Sequence, residues 1–152
     1  MSRKSDKITR RTLLAGTAAG AAAALTQFPA PAIAQATPFK LGLLTVKTGP
    51  LAQGGIQMEQ GVLTYLKEKN YTLGGRKVDF ISADTGGNPA GAKTKAQELV
   101  ERDKVDVILG PLAAFELYAV NEYVQQVKMP TLSLAAADNL TQRTPNPYLL
   151  RA

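Results

Sequence analysis

The stretch at residues 105–120, VDVILGPLAAFELYAV, decides the fold of this chain. It opens with a short, mostly β-branched apolar run, which is typical of a strand buried in a parallel sheet. Gly110 and Pro111 end that strand. Apolar residues then recur at helical spacing after Ala114, at Leu117, Val120, Val124 and Val127. The stretch therefore predicts a strand, a tight turn and a helix.

The turn between this strand and this helix is a candidate ligand-binding corner. The first backbone N–H groups of a helix have no partner inside the helix, and the helix dipole favours negative charge beside them. In open α/β sheets the ligand crevice lies at the carboxyl ends of the strands. We therefore expect residues 110–115 to contribute to function.

Strand and helix patterns alternate on both sides of this stretch. Predicted strands cover residues 39–46, 77–84, 129–134 and 148–151, and predicted helices cover 56–70 and 89–103, with a turn at 73–76 and a helical turn at 138–141. Gly54 and Gly55 precede the first helix, and Asn88 with Pro89 is a good start for the second. The alternation predicts an α/β fold, with a parallel sheet covered by helices on both faces.

Packing residues are expected on the predicted helices. On the first helix they are Met58, Val62, Tyr65 and Leu66, and on the third helix they include Tyr118 and Tyr123. Asp84 ends its strand, where it can either hold a cation or accept hydrogen bonds from the following loop, and the second role is the expected one.

Residues 1–34 have the pattern of an export signal. A basic start leads to Arg10, Arg11 and two leucines, then to a stretch rich in alanine and glycine, and a small-x-small cleavage site ends at Ala34. The paired arginines favour the twin-arginine route, and a general secretory signal is the alternative. The apolar part is too short for a membrane span. We expect residues 35–152 to form the exported, periplasmic part.

Composition excludes several functional classes. Of the 18 basic and 12 acidic residues, residues 1–34 hold five and one, which leaves 35–152 with a net charge of about +2 and no basic stripe. Nucleic acid is therefore not an expected partner. The sequence has no cysteine and no histidine, which excludes a Ser-His-Asp triad, a Cys-His pair and the usual zinc sites. We expect no metal and no cofactor.

Four motifs, between residues 41 and 151, carry a resemblance to a known family. They are LGLLTVKTGPLAQGG at 41–55, LGGRKVDFISAD at 73–84, LVERDKVDVILGPL at 99–112 and PTLSLAAADNLTQRTPNPYLLR at 130–151. Their order resembles the periplasmic substrate-binding proteins of branched-chain amino-acid ABC transporters, which have the type I periplasmic-binding fold, and especially the members that take up aromatic acids. The resemblance implies two lobes that close on a ligand, of which residues 35–152 look like an incomplete N-terminal lobe. It also implies an ABC permease in the inner membrane as partner.

The same resemblance implies where ligand binds. Amino-acid-binding members often have an aromatic residue at the position of Gly54, a serine at Ala114 and a threonine at Ala137. The substitutions here remove polar or bulky groups, and a zwitterion needs fixed polar partners. We therefore expect an aromatic acid, whose single carboxylate is held by backbone N–H groups near Ala114 and Ala137. The surrounding candidate residues are Leu112, Ala113, Phe115, Ala135 and Ala136.

Other interpretations compete with this one. The small residues can serve tight packing alone, and Phe115 can be a core residue. The ligand can instead be an aliphatic amino acid or an amide, and the same fold can serve as the lobe of a periplasmic sensor. An enzyme is disfavoured because neither a G-x-G-x-x-G turn after the first strand nor a Walker A motif is present.

Overall fold

The computed structural model describes residues 37–152, and the predicted signal features at Arg10, Arg11 and Ala34 lie outside that range. None of the helices within 37–152 combines the length and the apolar character that crossing a bilayer requires.

A single sheet of six strands organises the described residues. The strands are β1 Phe39–Thr45, β2 Thr72–Leu73, β3 Arg76–Asp84, β4 Val107–Leu109, β5 Thr131–Ser133 and β6 Leu149–Arg151. Their spatial order is β2-β3-β1-β4-β5-β6. All neighbours are parallel except β2 and β3. In the centre of the sheet, Leu41 of β1 is in register with Phe80 of β3 on one side and with Val107 of β4 on the other.

Helices cover both faces of the sheet, which confirms the predicted α/β fold. They are α1 Ala52–Glu68, α2 Pro89–Gln97, which continues as a π-helical turn Glu98–Arg102, and α3 Ala114–Gln126; a further π-helical turn spans Asn139–Arg143. On one face Leu66 of α1 packs with Leu41 and Val78. On the other face Leu117 of α3 and Ala96 of α2 belong to the larger core cluster.

Helix α1 begins at Ala52, so the expectation that Gly54 and Gly55 precede the helix is wrong. A Cβ atom at Gly55 would lie 1.7 Å from the Val46 carbonyl oxygen, because the helix backbone packs directly on the chain leaving β1. This close approach requires glycine inside the first turn, whereas the sequence suggests a break there. Asn88, in contrast, caps α2 as predicted, since its Oδ1 accepts from the Gly91 amide at 2.7 Å.

The predicted turn at 73–76 is the tip of a hairpin that the sequence analysis missed. Thr72 pairs with Lys77 and Leu73 with Arg76 in antiparallel register. Between them the two glycines have φ of +56° and +79°, as a two-residue turn of the I′ type requires. The strand before the turn is only two residues long, too short for an alternating pattern to be visible.

Two of the predicted packing tyrosines are surface residues. Tyr65 is 51% and Tyr118 46% exposed, so the prediction for them is wrong, whereas Tyr123 is buried and donates to Glu101 Oε1 at 3.0 Å. Helical spacing alone does not fix which edge of an apolar stripe meets the sheet. The Tyr65 ring instead lies 5.7 Å from the Lys69 ammonium.

On the face of the sheet that carries α1, the helices of the described residues leave the region of β5 and β6 partly uncovered. Leu132 and Leu134 point to the face that carries α1, and with Met58 and Val62 they line an apolar recess. Leu150 on β6 is 68% exposed. The helices of residues 37–152 therefore cover the β3-β1-β4 region better than they cover β5 and β6.

Gly110, which directly follows β4, gives a direct test of the packing at the carboxyl end of that strand. It has φ of +100°, and an added Cβ would lie 2.0 Å from the Leu44 carbonyl oxygen. We expect Gly110→Ala to lower the free energy of unfolding by at least about 2 kcal/mol, measured by urea denaturation.

Gly61 is the matched control, because it lies in α1 with no atom within 4 Å of an added Cβ. Gly61→Ala should raise the free energy of unfolding by about 0.5–1 kcal/mol. Equal effects of the two substitutions would contradict the close approach at Gly110.

Candidate functional site

The candidate residues meet at one edge of the sheet. Because β1, β3, β4 and β5 run parallel, their carboxyl ends lie together. The loops that follow them cover residues 46–51, 85–88, 110–113 and 134–138. Gly54, the 110–115 corner and the 135–137 run are thereby brought to the same edge, as expected for a ligand crevice in an α/β fold.

Buried hydroxyl side chains tie these loops to one another. They are Thr45, Thr85 and Ser133, each at most 2% exposed, and are called here the hydroxyl belt. Ser133 Oγ donates to the Pro111 carbonyl at 2.8 Å and accepts from the Ala135 amide at 3.1 Å. One side chain thus links the loop after β4 to the loop after β5.

The other members of the hydroxyl belt connect β1 to its neighbours. Thr45 Oγ1 donates to the Gly55 carbonyl at 3.3 Å and so holds the first turn of α1. The Thr85 amide donates to the Thr45 carbonyl at 2.9 Å. Since buried polar groups are costly when unpaired, these contacts fix the positions of the loops.

Gly54 and Leu112 form one apolar wall of the edge. A Cβ atom at Gly54 would lie 3.1 Å from Leu112 Cδ2, so a larger residue at 54 would require the leucine side chain to shift. Both residues are half-buried. The space that glycine leaves above α1 is therefore partly taken by Leu112.

The start of α3 presents backbone donors to the edge. Ala113 is buried and extended, with φ −95° and ψ 141°, and no side chain among residues 37–152 caps the helix from that position. Ala114 is half-buried and Phe115 is 44% exposed. Phe115 therefore does not belong to the core, and its ring is available at the end of the helix that carries the free amides.

The run 135–137 is divided between the core and the surface. The side chains of Ala135 and Ala137 are 1% exposed and belong to the main core cluster, while Ala136 is exposed. The Ala137 amide already donates to the Ala135 carbonyl at 2.9 Å, and the Ala135 amide donates to Ser133. The available donor in this run is therefore the Ala136 amide.

Asp84 organises the loops after β1 and β3. Its Oδ1 accepts from the amides of Lys47 at 2.8 Å and Gly86 at 2.9 Å, and its Oδ2 accepts from Thr48 Oγ1 at 3.0 Å. Burial alone raises the pKa of this carboxyl, but these hydrogen bonds and the Lys47 charge together lower it below its ordinary value. Lys47 also pairs with Glu59 at 2.9 Å. Asp84 thus has the expected hydrogen-bonding role.

Glu116 is a residue that the sequence analysis missed. It is the third residue of α3, its side chain is fully buried, and its Oε1 accepts from Thr85 Oγ1 at 2.5 Å. Burial raises the pKa of this carboxyl; the Thr85 hydroxyl and the Ala113 amide oppose the rise, and the Asp84 charge adds to it. Its sequence context is that of an ordinary first-turn acid, so no signal in the sequence could have identified it.

The described residues contain no group of three or more histidine, cysteine, aspartate or glutamate side chains that could hold a metal ion. Around the start of α3 the edge presents apolar walls, free backbone N–H groups and one aromatic ring. Such a site can bind a small organic anion.

The chain matches known proteins over most of its described length. A family model described as periplasmic binding protein matches residues 38–152. The Leu/Ile/Val-binding protein homolog 6 of Brucella abortus (strain 2308) is 29% identical over 113 residues, which is 74% of this chain and 29% of that protein.

Solved structures of ABC transporter proteins share the fold. An ABC transporter substrate-binding protein from Sphaerobacter thermophilus is 34% identical with a TM-score of 0.71, and the match covers 75% of this chain and 32% of that one. A solute-binding protein from Rhodopseudomonas palustris BisB5, in complex with 3,4-dihydroxybenzoic acid, is 33% identical with a TM-score of 0.70 and coverages of 75% and 31%. The chain thus spans less than a third of the length of these proteins.

Asp84 gives a pH-dependent test of the loop network. A carboxyl whose pKa is lowered in the folded state stabilises that state above its unfolded pKa and loses this contribution as pH falls through the folded pKa. We expect Asp84→Asn to flatten the fall in unfolding free energy between about pH 5 and pH 2, measured by urea denaturation.

The control is Asp79→Asn, since Asp79 lies exposed on the same strand. It should leave the pH dependence as it is in the unsubstituted protein. If Asp84→Asn and Asp79→Asn give the same profile, Asp84 does not hold the loops in the manner described.

Proposed function

The chain belongs to the periplasmic binding protein family, and on that basis we propose that it forms the N-terminal lobe of an exported solute-binding protein of an ABC transporter. In this proposal the protein captures a small carboxylate, best an aromatic acid, in the periplasm and delivers it to a permease in the inner membrane. Residues 1–34 serve as the export signal, with Arg10 and Arg11 as the twin arginines and cleavage after Ala34. No chemical step is performed on the ligand.

The observation that carries the proposal is the composition of the sheet edge. Four loops converge there on an uncapped start of α3, and the side chains around it are apolar or absent. Free amides at a helix N-terminus bind an anion without a charged side chain. The residues proposed to contact the ligand are Gly54, Leu112, Ala113, Ala114, Phe115 and Ala136, with Ala135 and Ala137 packed in the core beneath them.

An aromatic acid suits this edge better than an amino acid does. One carboxylate can use the amides at Ala114 and Ala136, and a flat ring can lie between the Gly54–Leu112 wall and Phe115. An amino acid also brings an ammonium group, which needs acceptor side chains when it is buried. The 33% identical protein from Rhodopseudomonas palustris, solved with 3,4-dihydroxybenzoic acid, supports the aromatic ligand.

A branched-chain amino acid is the alternative ligand class. The Brucella relative at 29% identity carries the name Leu/Ile/Val-binding protein homolog 6. A second lobe could supply the acceptors that an ammonium group needs. Amides are a further alternative, which benzamide in the test below addresses. A sensor role for the same fold is another, and only the membrane partner would distinguish it from transport.

Ligand class is tested first by thermal shift on the full-length gene product. We expect benzoate, 4-hydroxybenzoate and coumarate to raise the melting temperature, because a ligand that binds only the folded state stabilises it by mass action. Benzamide is the control, since it keeps the ring and lacks the charge. If the melting temperature rises with leucine and valine alone, the ligand is a branched-chain amino acid and the aromatic acid is wrong.

The place of the carboxylate is tested by Ala114→Asp. A second negative charge at the start of α3 should weaken benzoate binding at least about tenfold, measured by isothermal titration calorimetry. Aspartate in the first turn of a helix favours the helix, but Ala114 also packs against the core, so the melting temperature of the variant without ligand separates lost binding from unfolding.

Gln125→Glu adds the same charge at an exposed position near the other end of α3 and should leave benzoate affinity unchanged. Undiminished binding in Ala114→Asp would place the carboxylate elsewhere.

A further inference from the structure

Glu116 holds a buried acid at the candidate site with half of its hydrogen-bonding capacity unused. The side chain is 0% exposed, and Oε1 takes the Thr85 hydroxyl. Oε2 is shielded from solvent and has no hydrogen-bond partner within residues 37–152, so the Ala113 amide only weakly favours the ionised form. An ionised carboxylate in this state carries a large desolvation cost, whereas the neutral acid carries a small one.

The charges around Glu116 do not compensate an ionised carboxylate. The charge of the Asp84 carboxylate, at the end of β3, opposes its ionisation. On the elements beside α3, Lys47 pairs with Glu59, Lys95 of α2 pairs with Glu98, and Lys93 of α2 lies beside Glu122 and Gln126, further along α3. No lysine or arginine of the described chain forms a salt bridge with Glu116.

Glu116 is also the link between two walls of the site. Thr85 begins the loop after β3, and its hydroxyl accepts from the Gly87 amide at 3.3 Å while it donates to Glu116. Glu116 itself lies in the first turn of α3, next to Ala114 and Phe115. A contact of 2.5 Å between these side chains therefore couples the position of one loop to that of the helix start.

We propose that Glu116 is a positioning residue of the site, whose protonated side chain joins the loop after β3 to α3. Because the protonated carboxyl is neutral, the start of α3 carries no competing negative charge when an anion binds. The ligand part of this statement rests on the proposed function. At pH values above the pKa of Glu116 in the folded protein, where this carboxyl is ionised, anion binding takes up a proton from solvent on it. The helix dipole and the free amides then act on the bound anion alone.

The first test needs no ligand. A group whose pKa is raised in the folded state contributes stability that is present below its unfolded pKa and lost as pH rises through the folded pKa. The folding constant of the full-length gene product should therefore fall above pH 4.5, the ordinary value for this carboxyl. Glu116→Gln, which keeps the acceptor for Thr85 and cannot ionise, should remove this part of the fall, measured by urea denaturation at several pH values.

Glu122→Gln is the matched control, because Glu122 lies exposed on the same helix. It should leave the profile above pH 4.5 unchanged. A Glu116→Gln profile identical to that of the unsubstituted protein would show that the buried acid is not protonated on folding, and it would overturn the proposal.

The second test uses benzoate and leucine as probes in calorimetry. We expect the affinity of the unsubstituted protein to be about threefold or more lower at pH 8 than at pH 5, a range that begins just above the ordinary pKa of this carboxyl, and heats measured in two buffers should report proton uptake. Glu116→Gln should bind at both pH values with equal affinity and without uptake. Glu116→Met, which lacks the acceptor for Thr85, should bind about tenfold more weakly.

The outcomes separate the two proposals. If only leucine binds, the proposal of an aromatic ligand is wrong. The pH dependence and proton uptake of leucine binding then test the role of Glu116. If neither probe binds, the proposed ligand classes fail, and the stability profile of Glu116→Gln decides whether the acid is protonated in the fold. Weak binding by Glu116→Gln as well as Glu116→Met would show that the ionised carboxylate is required, and it would overturn the positioning role.

Discussion

The arrangement of the edge depends on the pairing of buried polar groups by the hydroxyl belt. Loops that leave a parallel sheet carry backbone groups that the ladder no longer satisfies, and burying such groups unpaired costs several kcal/mol each. Thr45 and Ser133 donate to backbone carbonyls, and Thr85 accepts from the Gly87 amide, without needing solvent. Thr45 and Ser133 thereby bond to segments other than their own strands, and Thr85 also donates to Glu116 on α3, so these bonds fix the loops relative to one another.

This constraint explains how a binding edge can be built from small residues. Where loops are held by groups beneath them, the surface above can consist of Gly54, Ala114 and Ala136 and still keep its shape. Backbone amides then act as the donors, and they lose no side-chain entropy when a ligand binds. Fixed donors of this kind are the ordinary means by which proteins bind anions at helix starts.

The sequence predicts the framework because each strand and helix is encoded locally. The apolar run before Gly110 and the spacing from Leu117 onward are periodic signals, and the structure confirms both elements. The errors lie where tertiary contacts decide. Gly55 is inside α1 because Val46 leaves no room for a side chain, and Tyr65 is exposed because the sheet meets a different edge of the helix. Neither contact is visible in a window of sequence.

The site was less predictable than the fold for a related reason. Its donors are backbone N–H groups, which every residue but proline carries, so residue identity cannot show which of them is free. The amide of Ala137 is consumed by the turn at Ala135, whereas its neighbour at Ala136 is not. Glu116 illustrates the opposite case, since its sequence context is that of an ordinary first-turn acid, and only the contact with Thr85, 31 residues away, shows that it is buried and part of the edge. The ligand class is therefore inferred from the lack of polar side chains at the edge. The protonation state of the site is inferred from Glu116, the acid buried beneath it.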